Sequence, residues 1–178
     1  LDSKTNDGNG AGSFVSTLTG LTSSTTYYVR AYATNSVGTA YGNLIAFNTA
    51  SITAPTGITT TTFASITQIS ATSGGTISSD GGAPVTSRGV CWSNTTTSPT
   101  ILNSKTIDGN GIGSFLSSLT GLLPGSTYYV RAYATNSAGT AYGNVLTLNT
   151  LPATIPVGVT TRTITSIAQT SASSGGNI

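Results

Sequence analysis

TYYVRAYATN, at Thr127 to Asn136, occurs letter for letter at Thr26 to Asn35, 101 residues earlier. Tyrosine, threonine and valine suit a pleated, half-buried strand, and a strand sends successive side chains to opposite faces. Tyr128, Val130, Ala132, Ala134 and Asn136 therefore share one side, and Tyr129, Arg131, Tyr133 and Thr135 share the other. The first set reads as a core stripe. The second, two tyrosines flanking an arginine, is expected to face outward as a candidate contact surface.

The repetition extends well beyond ten residues. Ser3–Thr49 and Ser104–Thr150 agree at 34 of 47 positions without a gap, and Thr59–Ile77 returns as Thr160–Ile178 at the same offset. Three segments are expected: 1–50 as the back part of one unit, 51–151 as a complete unit, and 152–178 as the front part of a third. Such phasing reads as a window on a longer tandem array. Only a few residues separate Thr49 from Pro55, and Thr150 from Pro156. Short proline-bearing joints predict a stiff rod rather than a flexible string.

Composition points to a β-protein in an extracellular setting. The 178 residues include 36 Thr, 25 Ser and 22 Gly, while only ten carry charge, for a net of +2. That balance gives no long-range steering of nucleic acid or of an anionic membrane. No apolar run reaches the roughly 18 residues of a membrane span. Cys91 is the single cysteine, so no disulfide forms within the chain, and it reads as a small apolar strand residue.

Turn signals divide the complete unit into roughly seven short strands, the pattern of a two-sheet sandwich. Strands are expected near Thr59–Thr62, Ile69–Ile77, Val85–Ser93, Ser114–Leu119, Thr127–Asn136 and Gly143–Thr150. Ser78–Pro84, SSDGGAP, reads as the tight turn of a hairpin. Val90 and Trp92 fall on one face of the returning strand. The polar segment from Asn94 to Thr100, with Pro99, reads as a loop or an edge. DGNG, at Asp7–Gly10 and again at Asp108–Gly111, is similar to the opening of a calcium loop. With four carboxylates in the whole chain, it reads instead as a turn that exploits Asp and Gly.

At LTGLLPGSTYYVRAYATNSAG, Leu119–Gly139, the chain resembles the second half of a fibronectin type III domain. The resemblance rests on the Leu-x-Gly-Leu-x-Pro-Gly loop, then Tyr128, Val130, Ala132, Ala134, Asn136 and Gly139. It implies an all-β, immunoglobulin-like sandwich in which Tyr128 is a corner tyrosine, its ring in the core and its hydroxyl on the loop backbone. Tyr27 inherits that role in the first copy, although its loop lacks the counterparts of Pro124 and Gly125. The front half departs from the family pattern, because Trp92 stands on the third strand rather than the second. SDGGAPVTSRGVCWS and YYVRAYATNSAGTAYGN are similar to a variant found as tandem repeats in large secreted and surface proteins of Bacteroidota-like bacteria. The implied core is Tyr27, Tyr128, Trp92, Val130 and Ala132.

The residue inventory argues against catalysis. There is no histidine, one cysteine excludes a thiolate zinc site, and Asp2, Asp7, Asp80 and Asp108 read as turn residues or lie at the chain start. No catalytic, cofactor or metal site is expected. Two classes of function remain. One is structural: a stiff extracellular stalk or fibre body whose partners are copies of itself, with Tyr28, Arg30, Tyr32, Tyr129, Arg131 and Tyr133 as the contact face. The other is an adhesin or carbohydrate-binding accessory module that stacks Tyr129, Tyr133 and Tyr142 on sugar rings. Asn94-Thr95-Thr96 is an N-glycosylation sequon, and Thr95, Thr96 and Thr97 offer further hydroxyls.

Overall fold

The computed structural model describes residues 3–178 and has no helix among them. In chain order the strands are β1 (Thr26–Val29), β2 (Tyr32–Thr34), β3 (Thr39–Tyr41), β4 (Ile45–Asn48), β5 (Thr56–Ala64), β6 (Ser70–Ser79) and β7 (Ser87–Ser93). They continue as β8 (Ser104–Lys105), β9 (Gly113–Thr120), β10 (Thr127–Asn136), β11 (Gly139–Tyr142), β12 (Leu146–Asn149), β13 (Thr160–Thr161) and β14 (Gly176–Asn177).

Eight of these strands, β5 to β12, build two antiparallel sheets. One runs β5-β6-β9; the other runs β11-β10-β7-β8, with β12 also on β10. β11 and β12 share one edge of β10. Tyr133↔Tyr142 belongs to the pairing with β11, and Tyr128↔Leu148 to that with β12. Alternation decides what each sheet turns inward: on β9, Phe115, Ser117 and Leu119 are buried while Leu116 is exposed. Ala71 and Ile77 from β6 and Phe115 and Leu119 from β9 meet Val90 from β7 and Tyr128, Val130, Ala132 and Ala134 from β10 in one cluster. Trp92 is half-buried against it. The result is an immunoglobulin-like sandwich of the fibronectin type III kind.

The sheets approach closely where β6 carries Gly75. A Cβ there would lie 2.7 Å from the Cβ of Ala132 on the facing sheet, so any side chain would push the layers apart.

The segment read as a hairpin turn is a crossover. Residues 78–84 carry the chain from β6 in one sheet to β7 in the other, and the two strands do not pair. The reason is that both edges of β6 are already taken, by β5 and β9. Gly81 and Gly82, at φ 72° and 88°, still make the tight bend. β11 and the short β8 are further strands that the sequence pattern did not mark.

The flanking segments keep the register of the sandwich in pieces. Tyr27↔Phe47 repeats Tyr128↔Leu148, Tyr32↔Tyr41 repeats Tyr133↔Tyr142, and Thr160↔Asn177 repeats Thr59↔Thr76. Residues 12–19, the counterpart of β9, form no strand.

Candidate functional surface

The face of β10 expected to be open is covered. The chain between β7 and β9 folds back across it, and two side chains of β10 and one of β11 hold it there. Arg131 Nε donates to the carbonyl of Pro99 at 2.5 Å, and Pro99 is itself fully buried. The Tyr133 hydroxyl donates to the carbonyl of Thr106 at 2.6 Å. The backbone N–H of Ile101 donates to the Tyr142 hydroxyl at 3.2 Å, while the Arg131 guanidinium lies 4.0 Å from the centroid of the Tyr142 ring.

This corrects the reading of Tyr133 as a contact residue. Its ring is only 2% exposed, because the segment around Thr106 lies on it. Tyr129, Arg131 and Tyr142 are half-buried. Pleat alternation had put these residues on the right side of the strand, away from Val130 and Ala132. It could not say that a loop returns over that side. The available signal was the length of the stretch from Asn94 to Gly111, too long for a tight turn between neighbouring strands.

Cys91, paired with Arg131 across β7 and β10, belongs to the same layer: its Sγ lies 3.5 Å from the carbonyl of Pro99. Burial pushes its thiol pKa up, with the Arg131 charge opposing. Tyr133 is also raised by burial, with the Ser87 hydroxyl opposing it and the Asp108 charge adding to it. A buried, neutral thiol is a packing group rather than a nucleophile.

In the first copy the arrangement is more open. The Tyr32 hydroxyl donates to the carbonyl of Thr5 at 2.6 Å, and the Arg30 guanidinium stacks at 3.9 Å from the centroid of Tyr41. Tyr32 is half-buried, whereas Arg30 and Tyr28 are exposed, Tyr28 at 68%.

The corner tyrosines sit on the opposite face. The N–H of Leu123 donates to the Tyr128 hydroxyl at 2.9 Å, and the N–H of Thr22 donates to that of Tyr27 at 2.8 Å. Tyr128 is 6% exposed. Tyr27 is half-buried and stacks on Phe47, and the hydrogen bond from Thr22 holds its hydroxyl pKa below the ordinary value.

The aspartates act within turns and between strands. Asp108 Oδ2 accepts from the hydroxyls of Thr106 and Ser117, which ties the middle of β9 to the segment that covers β10. Asp7 repeats this with Thr5 and Ser16, and those two hydrogen bonds lower its pKa. The sequence signal for this clamp was present in both copies, as Thr two residues before the aspartate and Ser nine after. Asp80 holds its own turn through Gly82 N–H at 2.9 Å; Asp2 lies outside the described residues. Among the described residues no group of three or more His, Cys, Asp or Glu could hold a metal ion. No helix there is long and apolar enough to cross a membrane.

Asn94, Thr95 and Thr97 are exposed and Thr96 is half-buried, in a turn pinned by the Ser93 hydroxyl, which accepts from the N–H groups of Thr95 and Thr96.

No protein-family model and no curated protein matches the chain. Solved structures do. The sensor domain of the anti-sigma factor RsgI4 from Pseudobacteroides cellulosolvens is 15% identical over 56% of this chain and 98% of that one, with a TM-score of 0.42. Domains A168–A170 of titin are 20% identical over 71% of this chain and 40% of theirs, at 0.41. The FN1–FN3 domains of chicken CNTN1 are 17% identical over 74% and 42%, at 0.42. The chain thus spans about two fifths of the titin and CNTN1 fragments.

Proposed function

We propose that the chain is a section of an extracellular array of fibronectin type III-like sandwiches that serves as a stiff stalk or as the body of a surface fibre. Residues 51–151 are one complete unit, 1–50 the back part of the unit before it, and 152–178 the front part of the next. The observation that carries this reading is the joint around Ser51. On one side, the carbonyl of Ala50 accepts from Ser24 N–H at 3.1 Å. On the other, Thr53 N–H donates to the carbonyl of Gly81 at 2.8 Å, and the Thr53 carbonyl accepts from Asn136 Nδ2 at 2.7 Å. Only Ser51 and Ile52 lie between those anchors, and Pro55 is already buried. Two residues leave few backbone torsions through which successive units can bend.

The low charge and the Ser/Thr-rich composition support an extracellular role, and the exposed turn at Asn94–Thr97 offers attachment points for glycans on the protein itself. Sugar recognition through stacked tyrosines is less well supported, since Tyr133 is buried and Tyr142 is covered by Arg131.

Small-angle scattering of the dilute chain tests the joint, by comparison with a variant carrying a Gly-Ser insertion between Ser51 and Ile52. A native profile of one extended shape, broadened by the insertion, supports the stalk. Indistinguishable profiles for the two would overturn it.

A further inference from the structure

The complete sandwich is fastened where the chain enters and where it leaves. On entry, Thr53 N–H donates to the carbonyl of Gly81 at 2.8 Å; on exit, Leu151 N–H donates to the carbonyl of Thr67 at 3.0 Å. Gly81 lies beyond one end of the β5-β6 pair and Thr67 beyond the other. Entry and exit therefore stand at opposite ends of β5, whose 9 residues span roughly 30 Å. β12 ends just before Leu151, so it runs in the same direction as β5. Tension applied between the two joints drags β5 one way and β12 the other, and whatever links these strands is loaded in shear.

We propose that the unit resists tension through one clamp between its end strands, built from Thr60 on β5 and Asn144 between β11 and β12. Thr60 is 8% exposed. Its N–H donates to Asn144 Oδ1 at 3.0 Å, and its hydroxyl donates to the Asn144 carbonyl at 2.5 Å. The same hydroxyl accepts from Ala132 N–H at 2.9 Å. That N–H is open to it because β11 stops pairing with β10 at Tyr133, and β12 takes over only at Val130. Gly143 permits the approach: a Cβ there would lie 2.9 Å from the Thr60 hydroxyl and 3.2 Å from the carbonyl oxygen of Ile58.

The three hydrogen bonds share the pull. Detaching β5 breaks them together, and peeling β12 back from the exit halts at Asn144, which Thr60 holds. Units joined in series all carry the full tension, so a clamp serves an array only where each unit has one. Thr60 returns as Thr161, and Gly143–Asn144 as Gly42–Asn43. The clamp deepens the stalk reading and rests on it for its purpose. Its mechanics belong to the single sandwich, so the two are tested apart.

Optical tweezers test this on the full chain, drawn from handles at its two ends, with Trp92 fluorescence checking that each variant is folded beforehand. Thr60→Val keeps the branched shape and deletes the hydroxyl. At a fixed force it should raise the unfolding rate of the sandwich about tenfold or more. Thr60→Ser, which keeps the hydroxyl, should stay within about threefold of native. Asn144 is exposed, so Asn144→Ala folds, and it should unfold at least about fivefold faster under force. Tyr133→Phe removes a hydrogen bond of similar worth from the covered face rather than from between the end strands. It should lower the urea midpoint yet leave the rate under force within about threefold of native. Native rates for both Thr60→Val and Asn144→Ala, or an equal acceleration by Tyr133→Phe, would overturn the clamp. Neither result bears on the scattering test of the joint, and a joint that fails that test leaves the clamp in place.

Discussion

The Tyr133 hydroxyl and the Thr106 carbonyl are 2.6 Å apart, and Tyr32 and Thr5 keep the same separation 101 residues earlier. One hydrogen bond, repeated, fastens the covering segment to the strand beneath it. Removing the hydroxyl by Tyr133→Phe strands the carbonyl under the covering loop and is expected to cost about 1–3 kcal/mol. Urea unfolding followed through Trp92, the only tryptophan, measures it in the complete sandwich. Tyr32→Phe should leave that transition where it is.

The contrast between Tyr128 and Tyr133 shows what the sequence could disclose. Both roles depend on pleat alternation, and alternation correctly divided the strand into two faces. The role of Tyr128 came with the resemblance, through a loop at Leu119–Gly125 that lies next to it in the chain, and the N–H of Leu123 in that loop donates to its hydroxyl. That of Tyr133 was not legible, because its partner Thr106 is 27 residues away and reaches it over the sheet. The failed hairpin at Ser78–Pro84 has the same origin. The bend is local and was readable, but the partner of β7 is β10, and nothing local in SSDGGAP specifies a long-range pairing.

Gly74 and Gly175 occupy equivalent positions in different surroundings. Gly74→Ala would place a methyl 2.1 Å from the carbonyl oxygen of Phe115 and is expected to destabilise the complete sandwich by about 3 kcal/mol or more. Gly175→Ala meets no atom within 4 Å. Thermal unfolding of both variants, read by Trp92 fluorescence, should show a large loss for the first and none for the second.

Leu119 packs at 0% exposure among residues of both sheets. Truncation to Ala leaves a cavity, for which about 2–5 kcal/mol is expected. Leu18→Ala removes the same atoms from a side chain that is 41% exposed, and in dilute protein it should change the main unfolding transition by under about 0.5 kcal/mol. Equal effects would show that residues 12–19 are packed within the single chain.

Asn136 joins three parts of the sandwich. Its Nδ2 donates to the carbonyls of Thr53 and Asp80, and its Oδ1 accepts from the N–H groups of Ala138 and Gly139. Asn136→Asp keeps the acceptor, deletes both donors and sets a buried charge against two carbonyl oxygens. A loss of at least about 2 kcal/mol is expected by chemical denaturation. Among the described residues the Asn35 side chain makes only the acceptor bonds, from the N–H groups of Val37 and Gly38, so Asn35→Asp should be mild.

Alkaline pH should loosen the covered layer in two stages. Cys91 and Tyr133 both have pKa values raised on folding, chiefly by burial. Each group is neutral when protonated, so the unfolded chain ionises first as pH rises. Stability from each is therefore intact below its unfolded pKa and lost as pH climbs toward the folded one. For a thiol that decline begins near about 8.5, and for a tyrosine near about 10. Melting temperatures should be level up to about pH 8 and then fall. Cys91→Ala removes the first stage while keeping the second, and Tyr133→Phe does the reverse. A melting temperature that holds constant to about pH 10.5 would show that water reaches this layer and that the loop does not shield it.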